Sequence, residues 1–314
     1  MATTTTPRTP TAAQPSRRHE ARPVPLAVWP VGQRSAQYQR AGRYLPACTA
    51  HPGKMLPDLA RRIVAEYSRP GQLVVDPLAG TGTTLVEAAL LGRRAIGVEL
   101  EARWADLARD NAEHVLRPEH RQLVEVHQGD ATDLATLLGN DSGRVDLVCT
   151  SPPYACDVGN VDKANWDRGG DLCPTDERNY SSDKANLGHA RGAAYEAAMA
   201  TIYGACFAVL RPGGILAVVT KNTRRKGRTL DLAGLTVALA EAAGFTYLQH
   251  VVALHAAIRD GDLAARPSFW QRTQTHKART RGEPAHLVVH EDLCVFSAGP
   301  AQLTPAPEET AHAH

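Results

Sequence analysis

The residues Thr150-Ser151-Pro152-Pro153-Tyr154 directly follow an apolar run at 145–149. Two successive prolines fix a rigid, extended turn at a strand's end. Such a turn aims the Ser151 hydroxyl, the Pro152 carbonyl and the Tyr154 ring at one point, with Pro153 holding the shape. That trio suits one chemistry. An amine conjugated to an aromatic base is a poor nucleophile because its lone pair is delocalised. Hydrogen bonds from its protons to Ser151 and to the Pro152 carbonyl would localise the pair on nitrogen. Tyr154 would stack on the base. A methyl group could then pass in line from a sulfonium to the nitrogen, with no covalent enzyme intermediate. The plainer alternative is a Pro-Pro turn that merely closes a strand.

A second constellation lies upstream. Val74-Val75-Asp76-Pro77-Leu78-Ala79-Gly80-Thr81-Gly82-Thr83-Thr84 runs from strand into helix. Glycines there let a ligand approach the backbone and let the helix start close to the sheet. The third glycine of a dinucleotide fingerprint is absent, since Leu85 fills its place and Pro77 interrupts the pattern. Glu99 ends the next strand, 17 residues after Gly82, where it can accept both hydroxyls of a ribose. Asp130, followed by Ala131, ends the third strand, where it can accept the amino group of an adenine. Acids at three consecutive strand ends make an adenosine-type site, where open α/β sheets bind ligands. Each acid taken alone reads more simply as a surface or capping residue.

These residues need a scaffold of short apolar strands alternating with amphipathic helices. Strands are expected at 73–76, 95–99, 122–127, 145–150, 214–220, 245–254 and 286–297. Helices are expected at 57–68, 83–92, 101–114, 132–138, 192–210 and 230–243. The alternation predicts a doubly wound, mostly parallel α/β sheet. The last two strands have no helix between them, so they are expected to pair antiparallel at an edge. Residues 26–298 read as a single domain. Residues 1–25 and 299–314 read as disordered tails of Thr, Pro, Ala and Arg or of Ala, Pro and Glu. Two long polar stretches, 155–191 and 255–285, break the rhythm and read as inserted loops for target recognition or as lids.

The chain resembles the S-adenosylmethionine-dependent methyltransferases of Rossmann-like class I, with a seven-stranded sheet. Within them, Ser151-Pro152-Pro153-Tyr154 resembles the (D/N/S)PPY signature of N4-cytosine and N6-adenine DNA methyltransferases. The resemblance extends from His51 to Ser297 and includes Arg211-Pro212-Gly213-Gly214 and the segment His290–Phe296. It implies S-adenosylmethionine as cofactor, with Asp76, Pro77, Ala79, Gly80, Thr81, Gly82, Thr84, Glu99, Asp130 and Ala131 holding it. His51 and Lys54 look like the family's element that contacts the donor's methionine end. Ser151, Pro152, Pro153 and Tyr154 are then the catalytic group. Serine in first place favours cytosine N4 over adenine N6. Leu78 stands where the family often has Phe. A DNA substrate would have to be flipped out of the duplex.

Charge is uneven although the net is only +2, which excludes a strongly basic nucleic-acid coat. Residues 211–228 and 266–281 are basic without acids. Lys221, Arg224, Arg225, Lys226, Arg228, Arg266, Arg272, Lys277, Arg279 and Arg281 are therefore candidate DNA phosphate contacts, and Trp270 a candidate stacking residue. A solvated face is the alternative. In the 155–191 loop, Asn160, Asn165, Trp166, Arg168 and Tyr180 could reach base edges. The six cysteines are scattered without a CxxC pair, which suits a reduced, cytoplasmic setting and offers no metal site. No apolar run reaches the roughly 18 residues of a membrane span, so no membrane partner is expected. Three readings remain open beside DNA: an RNA base, a protein glutamine, and an inactive nucleic-acid-binding protein. A restriction or phage-defence system would supply a partner. The recognition sequence and oligomeric state are not legible.

Overall fold

The computed structural model describes residues 25–51, 53–153, 186–187, 190, 192–225, 228–267 and 269–299. The first elements are strand β1 (Val28–Trp29) and helices α1 (Ala36–Arg40) and α2 (Pro57–Tyr67). Three strand–helix units follow: β2 (Leu73–Asp76) with α3 (Thr83–Leu90), β3 (Arg94–Glu99) with α4 (Ala102–Val115) and α5 (Pro118–Arg121), and β4 (Val124–Gln128) with α6 (Leu134–Leu138). Next come β5 (Val145–Thr150), α7 (Ala193–Val209) and β6 (Leu210–Thr220). A small hairpin, β7 (Thr223–Arg225) and β8 (Arg228–Leu230), leads to α8 (Leu232–Ala242) and β9 (Thr246–Leu254). A second hairpin, β10 (Ala256–Arg259) and β11 (Asp262–Ala265), precedes α9 (Phe269–Thr280) and β12 (His290–Ser297).

Leu73–Asp76 is buried at every position, as a strand covered on both faces must be. Eight strands form the sheet in the order β1-β9-β12-β6-β5-β2-β3-β4. All neighbours pair parallel except those of β12. This is the expected doubly wound class, with β1 added at one margin. The expected position of the antiparallel strand is corrected. β12 is not at an edge but lies between β6 and β9, with Asp292 opposite both Thr220 and Val252. Its residues Leu293, Cys294, Val295 and Phe296 are all at most 1% exposed, so they need cover on both faces.

Helices cover the two faces. On one, Leu59, Ala60, Ile63 and Val64 of α2 and Leu85 and Ala88 of α3 pack on Val74, Leu147, Ala217 and Val295. The 3–4 residue spacing in α2 gives the inward stripe, while Arg61 and Arg62 stay exposed. On the other, Tyr195, Met199, Ile202, Tyr203 and Cys206 of α7 pack on Val148, Leu216 and Phe296. The chain order reverses between β2 and β5, which places a crevice beyond their carboxyl ends.

The stretch 255–285, expected as a loop, is a hairpin followed by a helix. The turn uses positive φ at Asp260 (52°) and Gly261 (86°), the pair a two-residue hairpin turn requires. Asp-Gly was the available signal.

Candidate functional site

Gly80 and Gly82 carry the β2–α3 turn with φ of 52° and 78°. A Cβ on Gly82 would lie 3.0 Å from that of Ala108 on α4, so only glycine allows α3 to start there. The turn is held by its neighbours. Ala79 donates its N–H to the Val98 carbonyl (2.9 Å) and Gly80 to Glu99 Oε2 (2.8 Å). Glu99 Oε1 accepts from the Glu101 N–H (3.0 Å). Each Glu99 oxygen thus spends one lone pair on the backbone and keeps another for a ligand hydroxyl. Burial raises the Glu99 carboxyl above its usual range, against these two hydrogen bonds.

Asp76 is buried, accepts the Leu78 N–H at 3.1 Å, and faces the hydroxyls of Thr84 and Thr150. Burial pushes its carboxyl up to about 6. Asp130 Oδ1 takes both the N–H and the hydroxyl of Thr132 at 2.9 Å, which leaves Oδ2 as the oxygen Thr132 does not use. Pro77, Ala79, Thr81, Thr84 and Ala131 are buried around the same strand ends. The acids expected from the sequence therefore gather at one end of β2, β3 and β4. Carboxylates at three strand ends favour a cationic group and hydroxyl donors over an anion.

His51 is brought to the glycine turn, with Nε2 3.3 Å from where a Gly80 Cβ would stand. Its ring meets Trp104 edge-on at 4.8 Å. Nδ1 accepts the Gly53 N–H (3.2 Å), so the proton of the neutral ring sits on Nε2, toward the turn. Burial lowers its pKa to about 3, which keeps it neutral. The Lys54 ammonium donates to the His51 carbonyl.

Two further residues of this cradle were not singled out from the sequence. Asn111 is fully buried, and its amide reaches the Thr81 carbonyl (2.9 Å) and Cys48 Sγ (3.0 Å) while its oxygen accepts from Leu45 N–H (3.0 Å). Arg40 donates to Thr83 Oγ1 (3.2 Å) and to the Met55 carbonyl. Asn111 sits on the inward stripe of α4, a signal the spacing offered. Nothing local marks Arg40.

The second turn follows β5. Pro152 is buried, Ser151 and Pro153 are half-buried, and Tyr154 lies outside the described residues. The Pro153 carbonyl accepts the Tyr195 hydroxyl at 2.9 Å. That braces the turn at its second proline. Chain returning from the 155–191 stretch brings Asn186, whose amide donates to Glu101 Oε1 at 2.6 Å. The base-edge candidates Asn160, Asn165, Trp166, Arg168 and Tyr180 lie outside the described residues.

The basic residues divide. Lys221 is only 8% exposed, which corrects its expected place on a phosphate-facing surface. Arg266 turns inward onto the Gly32 (2.8 Å) and Gln33 (3.1 Å) carbonyls, another correction. Arg224 and Arg281 pair with Glu283 at 3.5 and 2.9 Å. Arg228, Arg272 and Lys277 are exposed, and Arg279 is exposed but donates Nη1–H to the Ala285 carbonyl at 3.1 Å. Lys226 and the side chains of Arg225 and Trp270 lie outside what is described. Among the described residues no His, Cys, Asp or Glu group of three or more could hold a metal, and no helix is long and apolar enough to cross a membrane.

Comparison with known proteins matches part of the chain. Residues 4–110 fit a family model described as DNA methylase. A tRNA (guanine(10)-N2)-dimethyltransferase of Methanothermobacter thermautotrophicus is 35% identical over 105 residues, 33% of this chain and 29% of that protein. The type II methyltransferase M.MthZI of Methanothermobacter thermautotrophicus is 42% identical over 60 residues, 19% of this chain and 17% of that protein. The type II methyltransferase M.HinfI of Haemophilus influenzae is 39% identical over 59 residues, 19% of this chain and 16% of that protein. The match thus spans less than a third of each relative's length. Residues 4–110, which include His51, the glycine turn and Glu99, are thus similar to the DNA methylase family.

Proposed function

We propose that the protein transfers a methyl group from S-adenosylmethionine to the exocyclic amine of a nucleic-acid base, with cytosine N4 in DNA as the preferred acceptor. The observation that carries this is the pair of turns across the chain reversal. The acid-lined glycine turn follows β2, and Ser151-Pro152-Pro153 follows the adjacent β5. The residues present fit the donor. Glu99 would take the ribose hydroxyls, Asp130 Oδ2 the adenine amine, and Asp76 would lie near the sulfonium. His51 Nε2–H and the start of α3 would meet the carboxylate of its methionine part.

Bound there, the donor supplies an electrophilic methyl group. The chain's own part is to orient the acceptor. Ser151 and the Pro152 carbonyl would take hydrogen bonds from the amine, pulling its lone pair out of conjugation and onto nitrogen. Tyr154 would stack on the ring. An interaction that strengthens as the amine becomes tetrahedral lowers the barrier rather than only tightening binding. Exposed Arg272, Lys277 and Arg279 would meet phosphates.

A second reading is methylation of guanine N2 in RNA. It draws on the tRNA (guanine(10)-N2)-dimethyltransferase relatives from two organisms, 35% and 36% identical over about a third of this chain. One experiment separates them. The purified chain is incubated with isotope-labelled S-adenosylmethionine and either genomic DNA or total tRNA, and the products are digested to nucleosides for mass spectrometry. Label in N4-methylcytosine of DNA is the expected result. Label in N2-methylguanine of tRNA alone would replace it with the second reading. No label in either would remove both.

A further inference from the structure

Lys221 stands one residue beyond β6, is 8% exposed, and makes no hydrogen bond or ion pair with a described residue. Burial lowers its basicity, while the carboxylates of Glu291 and Asp292 act in the opposite direction. The residue is covered, yet its Nζ keeps accessible surface. Such a group is well placed when a ligand supplies the missing acceptor.

Its position shows which ligand that would be. β5 and β6 run parallel with Thr150 opposite Val218. Three residues further along the two strands come Pro153 and Lys221, so Lys221 lies beside the proline turn. Leu147 and Cys149 of β5 pack on the same sheet face as Ile215, Ala217 and Val219 of β6. Continuing the two-residue period puts Ser151 and Lys221 on that face as well. Leu293 and Val295 of β12 and Val251 and Ala253 of β9 share it, so Glu291 and His255 do too. His255 Nε2 lies 3.1 Å from Glu291 Oε2. Four neighbouring strands, β5, β6, β12 and β9, thus present Ser151, Lys221, Glu291 and His255 in a row at one end of the sheet. Asp292 belongs to the opposite face, where His250 holds it at 2.9 Å.

We propose that Lys221, flanked by Glu291, donates a hydrogen bond to the ring atom of the acceptor base next to its exocyclic amine, and so discriminates between bases. This rests on the reading of the protein as a base amino-methyltransferase. The Ser151–Pro152 turn offers acceptors for the amine's protons but no donor for the neighbouring atom. Cytosine presents N3 beside its amine and adenine presents N1, both acceptors. Guanine presents the N1–H, a donor, on its Watson–Crick side. An ammonium pairs with the first two and opposes the third. Sites that leave a buried polar group unpaired reject the wrong ligand strongly.

The test is Lys221→Met, which keeps an unbranched side chain one atom shorter and removes the charge. Single-stranded DNA of mixed sequence and labelled S-adenosylmethionine are the probes. The variant should lose about tenfold in kcat/KM for DNA, with donor affinity in calorimetry unchanged. Its melting temperature should stay close to that of wild type, because Lys221 makes no hydrogen bond or ion pair that holds the described structure together. A structural lysine would give a lower melting temperature or an unfolded variant, and either result overturns the proposal. So does a loss in kcat/KM smaller than about threefold, or wild-type label found only in guanine. If the wild-type protein labels no base at all, the base-methylation reading falls and the proposal falls with it. If the wild type labels DNA and the variant matches it, the proposal falls alone.

Discussion

The Tyr195 hydroxyl on α7 donates to the carbonyl of Pro153 at 2.9 Å, so a helix from one face of the sheet braces the turn after β5. Proline has already removed most freedom from that turn, and the hydrogen bond fixes its remaining tilt. Tyr195→Phe keeps the ring in its buried place and removes only the donor. It should cost about 0.5–1.5 kcal/mol of stability. Turnover should fall while donor affinity holds, since the loss is of acceptor positioning. Denaturant unfolding, steady-state kinetics and donor calorimetry would check the three parts. Equal turnover would free the turn from this brace.

Glu99 serves the fold and the donor with the same carboxylate, through Gly80 N–H at 2.8 Å and Glu101 N–H at 3.0 Å. Glu99→Ala strands both N–H groups and removes the ribose acceptor. Donor affinity should fall by at least about tenfold, given 1.5–3 kcal/mol for hydrogen bonds to a charged group. Calorimetry with S-adenosylmethionine is the measurement, and unchanged affinity would end this assignment.

Asp76 makes stability depend on pH in the unliganded protein. Its folded pKa, about 6, lies above the unfolded value of 3.8, so the folded state holds the proton more tightly. Its contribution is most favourable below the unfolded value and is lost as pH rises to about 6. The full loss is on the order of 3 kcal/mol. Asp76→Asn should therefore gain melting temperature over wild type between pH 4 and 6 and keep a constant advantage above that. Thermal melts across this range would show it. A difference that does not vary with pH would mean that Asp76 titrates normally.

The exposed side chains Arg272, Lys277 and Arg279 on α9 are the strongest phosphate candidates among the described residues. Replacing all three with Ala should make the slope of log binding constant against log salt shallower by roughly two to three on duplex DNA. The weakening should be alike for all sequences, since phosphates carry no sequence information. A salt titration of both proteins is the check. Unchanged slopes would return α9 to a solvated face. Arg266→Ala should instead lower stability, because its guanidinium holds the Gly32 and Gln33 carbonyls.

Much of this protein is written locally in its sequence. Leu73–Asp76 reads as a covered strand because all four positions are buried ones. Gly80 and Gly82 mark the turn because only glycine takes those φ angles beside α4. The Ser151-Pro152-Pro153 turn is legible because proline geometry acts over two residues. Tertiary structure decided the rest. β12 enters between β6 and β9 through pairings from Thr220 and Val252, partners 72 and 40 residues away in the chain. Nothing in its own eight residues names them. Tyr195 and Asn111 look like ordinary stripe residues until another element brings a carbonyl to their polar atoms. The basic runs looked uniform, yet burial took Lys221 out of solvent and backbone carbonyls took Arg266. A charge can be counted from sequence, but whether it faces water depends on which distant segments cover it.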